Sequence, residues 1–283
     1  MVNDFRPQSI EYSGIKCYPT ANYVNYYGMQ NGYPINDMTK ADAESGYDPT
    51  HPWKNRDPRF YKTIMFDGVK WKSTGGAGGT AELFTGGRES EEANEKKGCF
   101  TAYMNSKLCP QLMNTFDGYK ENNIMILSLM RLADVYLMYA EATAVGYNSP
   151  KGKAATYSLT AEEALNKIRE RAGVLEKFLG STADFLSELR RERAVELSFE
   201  GFRFTDLRRW MLLTQYPYTL KTKIEFDRAD PNNYNYDAPE ENAIKNLREV
   251  VLIERKYTDR HYWYPLPKKD VSMYEGFYQN PGW

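Results

Sequence analysis

The chain reads as a mainly α protein in which helical hairpins pack with a loop-rich segment containing short β-hairpins. Three observations point there. From about residue 124 onward, apolar residues recur at i, i+3, i+4 and i+7, the spacing of one buried helical stripe. Before that point Gly, Pro, Asn, Asp and Tyr dominate, and no helical period outlasts about two turns. The third is the stretch from Leu189 to Trp210, where Arg and Glu crowd beside Leu189, Val195, Leu197, Phe199 and Phe202. Such charge density suits a helix whose ion pairs help pack it: Arg193 with Glu196, and Glu200 with Arg203, lie three residues apart. The chain thus divides into residues 1–123, loop-rich with short strands, and residues 124–283, helical with an irregular tail.

The elements follow in order. Tyr61 to Phe66 and Val69 to Lys72 flank Asp67-Gly68, a dipeptide that favours a two-residue hairpin turn because both central positions need positive φ. That register faces Phe66 with Val69 and Ile64 with Trp71. Residues 74–80 form a glycine-rich loop without the Gly-Lys-Ser/Thr of a phosphate loop, so nucleotide binding is not expected. Glu89 to Lys97 reads as a solvated charged patch. Leu129, Leu132, Ala133, Tyr136, Leu137 and Ala140 mark the stripe of a first long helix ending near Gly146. A second opens on the capping box Thr160/Glu163 and stops before Gly173, with Ala164, Leu165, Ile168 and Ala172 inward. A third starts at Ser181 or Thr182 and runs toward Glu200, with Gly201 as a break. A short helix from Phe204 to Leu213 follows, and the chain turns irregular after Gln215.

Composition narrows the function. Lys+Arg of 37 against Asp+Glu of 38 leaves a net charge of −1, and no basic run appears, so no nucleic-acid partner is expected. Aromatic residues make up 14%, with 23 tyrosines; rings that carry both a flat apolar face and a hydroxyl suit neutral polar ligands. Cys17, Cys99 and Cys109 form no metal pattern and His51 and His261 lie far apart, so neither metal nor cofactor is expected. A Cys99–Cys109 bridge is compatible with an oxidising compartment. No run of eighteen apolar residues exists, and the first residues are neither a signal peptide nor a lipoprotein signal.

Six segments, in order, resemble the SusD/RagB family of surface glycan-binding lipoproteins. They are Asn31-Gly32-Tyr33-Pro34-Ile35, Asn55-Arg56-Asp57-Pro58-Arg59-Phe60, Arg131 to Ala142, Ala164 to Gly173, the Leu189–Trp210 stretch, and Tyr264-Pro265-Leu266-Pro267 with Gln279-Asn280-Pro281-Gly282. The resemblance implies tetratricopeptide-like helical hairpins and non-catalytic binding of an oligosaccharide or polysaccharide. It also implies delivery to a SusC-like TonB-dependent transporter and a place at the outer membrane as a surface lipoprotein. The match is to the C-terminal portion of the family, so the acylated anchor and first helical hairpins are expected in a segment outside this sequence.

Aromatic rings stack on pyranose faces while amides and charges satisfy hydroxyls, and such residues sit on loops over a rigid frame. The resemblance places the ligand-binding region in residues 1–123, where the candidates are Trp53, Trp71, Tyr26, Tyr27 and Asn55. Trp71 adjoins the glycine loop, where it can form a platform, although the hairpin register also sends it to a core. Asp57 and Arg59 read as loop pins. Two rival readings remain open: a helical scaffold for peptides or proteins, and a glycoside hydrolase. The hydrolase would need a carboxylate pair; Glu196 and Glu200 are the tempting couple, but neighbouring arginines favour permanent ion pairs over a proton donor.

Overall fold

The structure, a computed structural model, describes residues 18–71, 79–91, 98–107 and 128–283. Most of the glycine-rich loop, most of the Glu89–Lys97 patch, and Cys17 and Cys109 lie outside the described residues.

The loop-rich part holds two short helices, α1 (Ala21–Val24) and α2 (Pro58–Thr63). Helix α2 starts where local chemistry dictates: Pro58 has no N–H to satisfy, and the Asp57 carboxylate accepts from the Arg59 N–H at 2.9 Å. This helix takes up half of the first strand expected for the Asp67-Gly68 hairpin. Only Ile64–Met65 (β1) extends, and it pairs antiparallel with Met104–Asn105 (β2), not with Val69 to Lys72. The turn itself forms, with the Val69 N–H donating to the Phe66 carbonyl at 3.2 Å, but only Gly68 takes a positive φ, 81°. Beyond it the chain pairs with residues 79–81, as in Ala81 N–H to Val69 carbonyl at 2.9 Å. The reason lies in Asp67. It is fully buried and faces Arg228 at 2.7 Å, a partner far along the chain that local patterning does not reveal.

Three longer helices follow: α3 (Leu132–Gly146), α4 (Ala161–Ala172) and α5 (Thr182–Glu196). Helix α4 matches its reading. The Glu163 N–H donates to the Thr160 hydroxyl at 3.2 Å, the Thr160 N–H donates back to the Glu163 carboxylate at 2.7 Å, and Gly173 ends the helix at φ 74°. Helix α3 packs against both α4 and α5 over Leu137, Ala140, Leu165, Ile168, Phe185 and Leu189. The stripe expected on α3 holds from Ala133 onward, but Leu129 and Leu132 are 95% and 66% exposed. Helix α5 stops four residues short of Glu200. Phe199 at φ 60° and Gly201 at φ 87° bend the chain into α6 (Phe202–Arg209), which starts two residues earlier than expected.

The irregular tail expected after Gln215 instead contains a long antiparallel hairpin, β3 (Leu220–Arg228) with β4 (Ile244–Glu254). Thr222, Ile224, Phe226 and Arg228 are buried in alternation, the period of a strand with one face inward. That face completes the core of the loop-rich part: Phe226 meets Trp53 edge-on at 5.2 Å, and Trp53 stacks on Phe66 at 5.0 Å. Helix α7 (Lys268–Val271) lies near the end of the chain. Among the described residues, no helix is long and apolar enough to cross a membrane.

Candidate functional site

Helix α5 is the charged hub from which the site is built. Arg169 on α4 is fully buried and donates to Glu188 at 2.5 Å and Glu192 at 3.5 Å. Arg59 binds Asp57 at 2.7 Å, Glu196 at 3.0 Å and Glu192. Glu196 also takes Arg131 at 2.9 Å and Arg171 at 2.6 Å, and Glu200 takes Lys107 at 2.6 Å and Arg131 at 2.8 Å. Arg193 joins three helices through Asp134 on α3 at 2.8 Å and Asp206 on α6 at 3.0 Å. The pairs expected along one helical surface, Arg193–Glu196 and Glu200–Arg203, therefore give way to long-range pairs. Helix α5 ends at Glu196, so Glu200 and Arg203 do not share its surface. These residues are architecture, and they reach outward to fix loops. Arg191 donates to the carbonyls of Tyr26 at 3.1 Å and Gly32 at 3.3 Å, anchoring the loop after α1 to α5.

That loop forms one wall of a cleft of about 670 Å³. The other walls come from α5, from Arg203 on α6, and from Tyr216, Tyr218 and β3–β4. The Arg203 guanidinium lies over two rings, 4.7 Å from the Tyr26 centre and 5.6 Å from that of Tyr218. Tyr216 stands 77% exposed at the edge. Burial raises the Tyr26 phenol above its usual range, against the lowering pull of Arg203, so its hydroxyl stays protonated at neutral pH. For Asp37, burial raises but the Thr39 hydroxyl and N–H and Lys40 outweigh it, holding the carboxyl below 3.8 and ionised. Asn25 Oδ1 and Arg203 Nη1 are buried without a hydrogen-bond partner among the described residues.

Two further cavities adjoin the frame. One, of about 500 Å³, is lined by Met29, Gln30, Asn31, Ser45, Asn55 and Leu175 among others, and carries no charged side chain. Asn55 holds φ 53°, a conformation that asparagine tolerates better than most residues, and its carbonyl accepts from the Gln30 N–H at 2.9 Å. The other, of about 760 Å³, is walled by Arg59, Lys107, Arg131 and Arg171, whose charges Glu196 and Glu200 already engage. No group of three or more metal-ligating side chains occurs among the described residues.

The family model described as the SusD family matches residues 2–283. The chain belongs to the SusD family. Among solved structures it is similar to the SusD-like protein BF3747 of Bacteroides fragilis, with 23% identity, a TM-score of 0.69, and coverage of 94% of this chain and 47% of that one. A structure named selenomethionine BT4246 gives 22% identity and a TM-score of 0.65 over 96% of this chain and 47% of that one. The SusD-like carbohydrate binding protein BF0978 of Bacteroides fragilis gives 21% and 0.60 over 90% and 47%. The chain spans about half the length of these solved structures. No curated protein sequence matches it.

Within this SusD-family chain the five candidate residues scatter. Tyr26 and Asn55 reach the surface, on different cavities. Trp53, Trp71 and Tyr27 are buried, at 0%, 7% and 0% exposure, which corrects their expected ligand-binding role, the platform at Trp71 included. Trp53 donates its indole N–H to the Tyr103 hydroxyl at 3.3 Å, and Tyr27 donates to the Ser198 hydroxyl at 2.8 Å. Their polarity is spent inside the core. Asp57 and Arg59 do pin their loop, through each other at 2.7 Å. Cys99 is a buried free thiol, pushed up to about 11 by burial, and donates to the Tyr103 carbonyl at 3.1 Å. Sequence reasoning missed Arg203, Tyr216 and Tyr218. The available signal was Tyr216-Pro217-Tyr218 itself, two aromatics flanking a proline a few residues beyond the end of α6.

Proposed function

We propose that this chain binds an oligosaccharide or polysaccharide without transforming it, in the cleft of Tyr26, Arg203 and Tyr218. The observation that carries the reading is the arginine laid over two tyrosine rings in a cleft edged by the exposed Tyr216. Rings supply apolar faces for pyranoses, and polar side chains on the cleft walls, Asn36, Ser187 and Arg190, suit hydroxyls. The family assignment and the carbohydrate-binding name of one structural relative support the same class of ligand. A binder also fits the carboxylates of the cleft. Glu188 accepts from Arg191 at 3.1 Å, Asp37 from the Thr39 hydroxyl at 2.7 Å and Glu249 from the Thr222 hydroxyl at 2.5 Å, so each carboxylate is already engaged within the protein. As in the family at large, the bound glycan would pass to a SusC-like TonB-dependent transporter, with the protein anchored as a lipoprotein on the outer membrane.

Affinity electrophoresis against a broad panel of polysaccharides tests the reading. Retardation by at least one glycan, lost in Tyr26→Ala and Tyr218→Ala, is the expected result. New reducing ends released from a retarding glycan at enzymic rates would replace binding with hydrolysis, and no retardation across the panel would remove the glycan assignment.

A further inference from the structure

Helices α5 and α6 carry six arginines, and four of them spend their donors inside the protein. Arg191 binds Glu188 at 3.1 Å, Arg193 binds Asp134 at 2.8 Å, and Arg209 binds Glu141 at 2.6 Å. Arg208 donates to the Tyr262 carbonyl at 3.0 Å. Arg190 and Arg203 differ. Both are half-buried in the wall of the cleft of about 670 Å³, and among the described residues neither makes an ion pair.

Each is laid over aromatic rings instead. The Arg190 guanidinium lies 5.6 Å from the Trp210 centre, and that of Arg203 lies 4.7 Å from Tyr26 and 5.6 Å from Tyr218. A ring engages a guanidinium through its flat face. The N–H donors point outward in the guanidinium plane, so stacking orients the fork without supplying the oxyanion that the fork fits.

The carboxylates of the cleft do not balance these two charges. Glu188 already serves Arg191 and, at 2.5 Å, Arg169, and Asp37 pairs with Lys40 at 3.0 Å. Glu249 on β4 accepts from the Thr222 hydroxyl at 2.5 Å but pairs with no cation among the described residues. Two unpaired guanidiniums on the helical walls thus share a cleft with one unpaired carboxylate on the strand wall. The whole chain carries a net charge of −1, so this positive excess is local. Charges in a concave, partly desolvated site attract an anion more strongly than the same charges on open surface.

The geometry points to an acidic saccharide: a sugar whose oxyanion substituent, a uronate carboxylate or a sulfate ester, is held by Arg203 and Arg190 on the side of the cleft away from Glu249. This rests on the glycan reading of the cleft and narrows it from glycans in general to those bearing negative charge.

Isothermal titration of the 283-residue chain with paired ligands is the test. Oligogalacturonate and oligomannuronate are each compared with their carboxyl-reduced forms, and carrageenan oligosaccharides with their desulfated form. One charged member should bind about tenfold or more tighter than its neutral counterpart. That gap should narrow between about 0.05 M and 0.3 M salt. Arg203→Gln and Arg190→Gln should each close most of it. Glu249→Gln keeps an acceptor for the Thr222 hydroxyl and removes the opposing charge. It should raise affinity for the charged member severalfold and leave the neutral one unchanged, a gain that no folding defect can produce. The pair that responds identifies the oxyanion. Equal affinity within every pair, retention by neutral polysaccharides alone, or a charge preference untouched by all three variants would overturn acid recognition while leaving glycan capture standing. Silence of every pair together with the polysaccharide panel would overturn both.

Discussion

Arg228 on β3 lies 2.7 Å from Asp67 in the turn after β1, and both side chains are buried. This pair fastens the C-terminal hairpin to the loop-rich core, and it is reinforced on each side. The Leu83 N–H donates to Asp67 at 2.8 Å, and the Arg228 guanidinium sits 3.9 Å from the Tyr234 ring centre. The Asp67 carboxylate beside it keeps Arg228 firmly charged. A buried pair of this kind contributes little against an apolar replacement, yet removing one partner strands the other in a medium of low dielectric.

Asp67→Asn or Arg228→Met alone should therefore cost about 3–5 kcal/mol of stability, read as a lowered urea midpoint. The double variant should cost clearly less than the sum of the two. Additive losses would mean that the two side chains act separately.

The contrast with the sequence reading has a physical cause. Helix α4 was legible to the residue because its capping box and terminal glycine are local chemistry, complete within residues 160–173. The Asp67-Gly68 turn was legible but its strands were not, because Asp67 answers to a residue 161 positions away. The hairpin β3–β4 carried a period-two signal in Thr222, Ile224, Phe226 and Arg228, masked by a Thr and an Arg where apolar residues were expected. At the site, Trp53 looked available because its neighbours His51, Lys54 and Asn55 are polar. The loop folds back so that Phe66 and Phe226 enclose it. Exposure is a tertiary property, and aromatic residues are the type for which sequence reports it least.

Acid should loosen the α5 hub. Burial raises Glu192, but Arg59, Arg169 and Arg191 outweigh it and hold the carboxyl below its ordinary 4.5. Burial likewise raises Glu200, and hydrogen bonds from Arg131 and Lys107 outweigh it. With folded values depressed, the unfolded chain binds more protons as pH falls, so the contribution is whole above about 4.5 and is lost below it. Urea midpoints should stay level from about pH 7 to 5.5 and fall below about 4.5. In Glu192→Gln the midpoint should drop at neutral pH and the acid slope should flatten. An acid slope identical to that of the wild type would place the titrating groups elsewhere.

Lys221 works in the opposite sense. Burial, then the neighbouring charges of Arg255 and Arg203, lower its ammonium to about 8 from 10.5. The folded state thus disfavours the charged form, so stability rises as pH climbs from about 8 toward 10.5 and is lowest when the amine is protonated. Lys221→Met should raise stability at neutral pH by about 1 kcal/mol and remove that alkaline rise. A loss of stability would show that the ammonium is held by favourable contacts.

The site assignment is most sharply tested by separating binding from folding. Truncating Trp53 removes a fully buried ring packed on Phe66 and Phe226, so Trp53→Ala should cost about 3–5 kcal/mol of stability. Tyr218 is only half-buried at the cleft wall, so Tyr218→Ala should cost about 1 kcal/mol while weakening glycan retention about tenfold. Tyr26→Phe keeps the ring under Arg203 and deletes only the hydroxyl. Its retention should fall between wild type and Tyr26→Ala if ring and hydroxyl both touch the sugar. Thermal melts run beside affinity electrophoresis read the two effects independently. A Trp53→Ala protein that stays folded and loses retention, beside a Tyr218→Ala protein that keeps it, would move the site out of the Arg203 cleft and into the loop before α2.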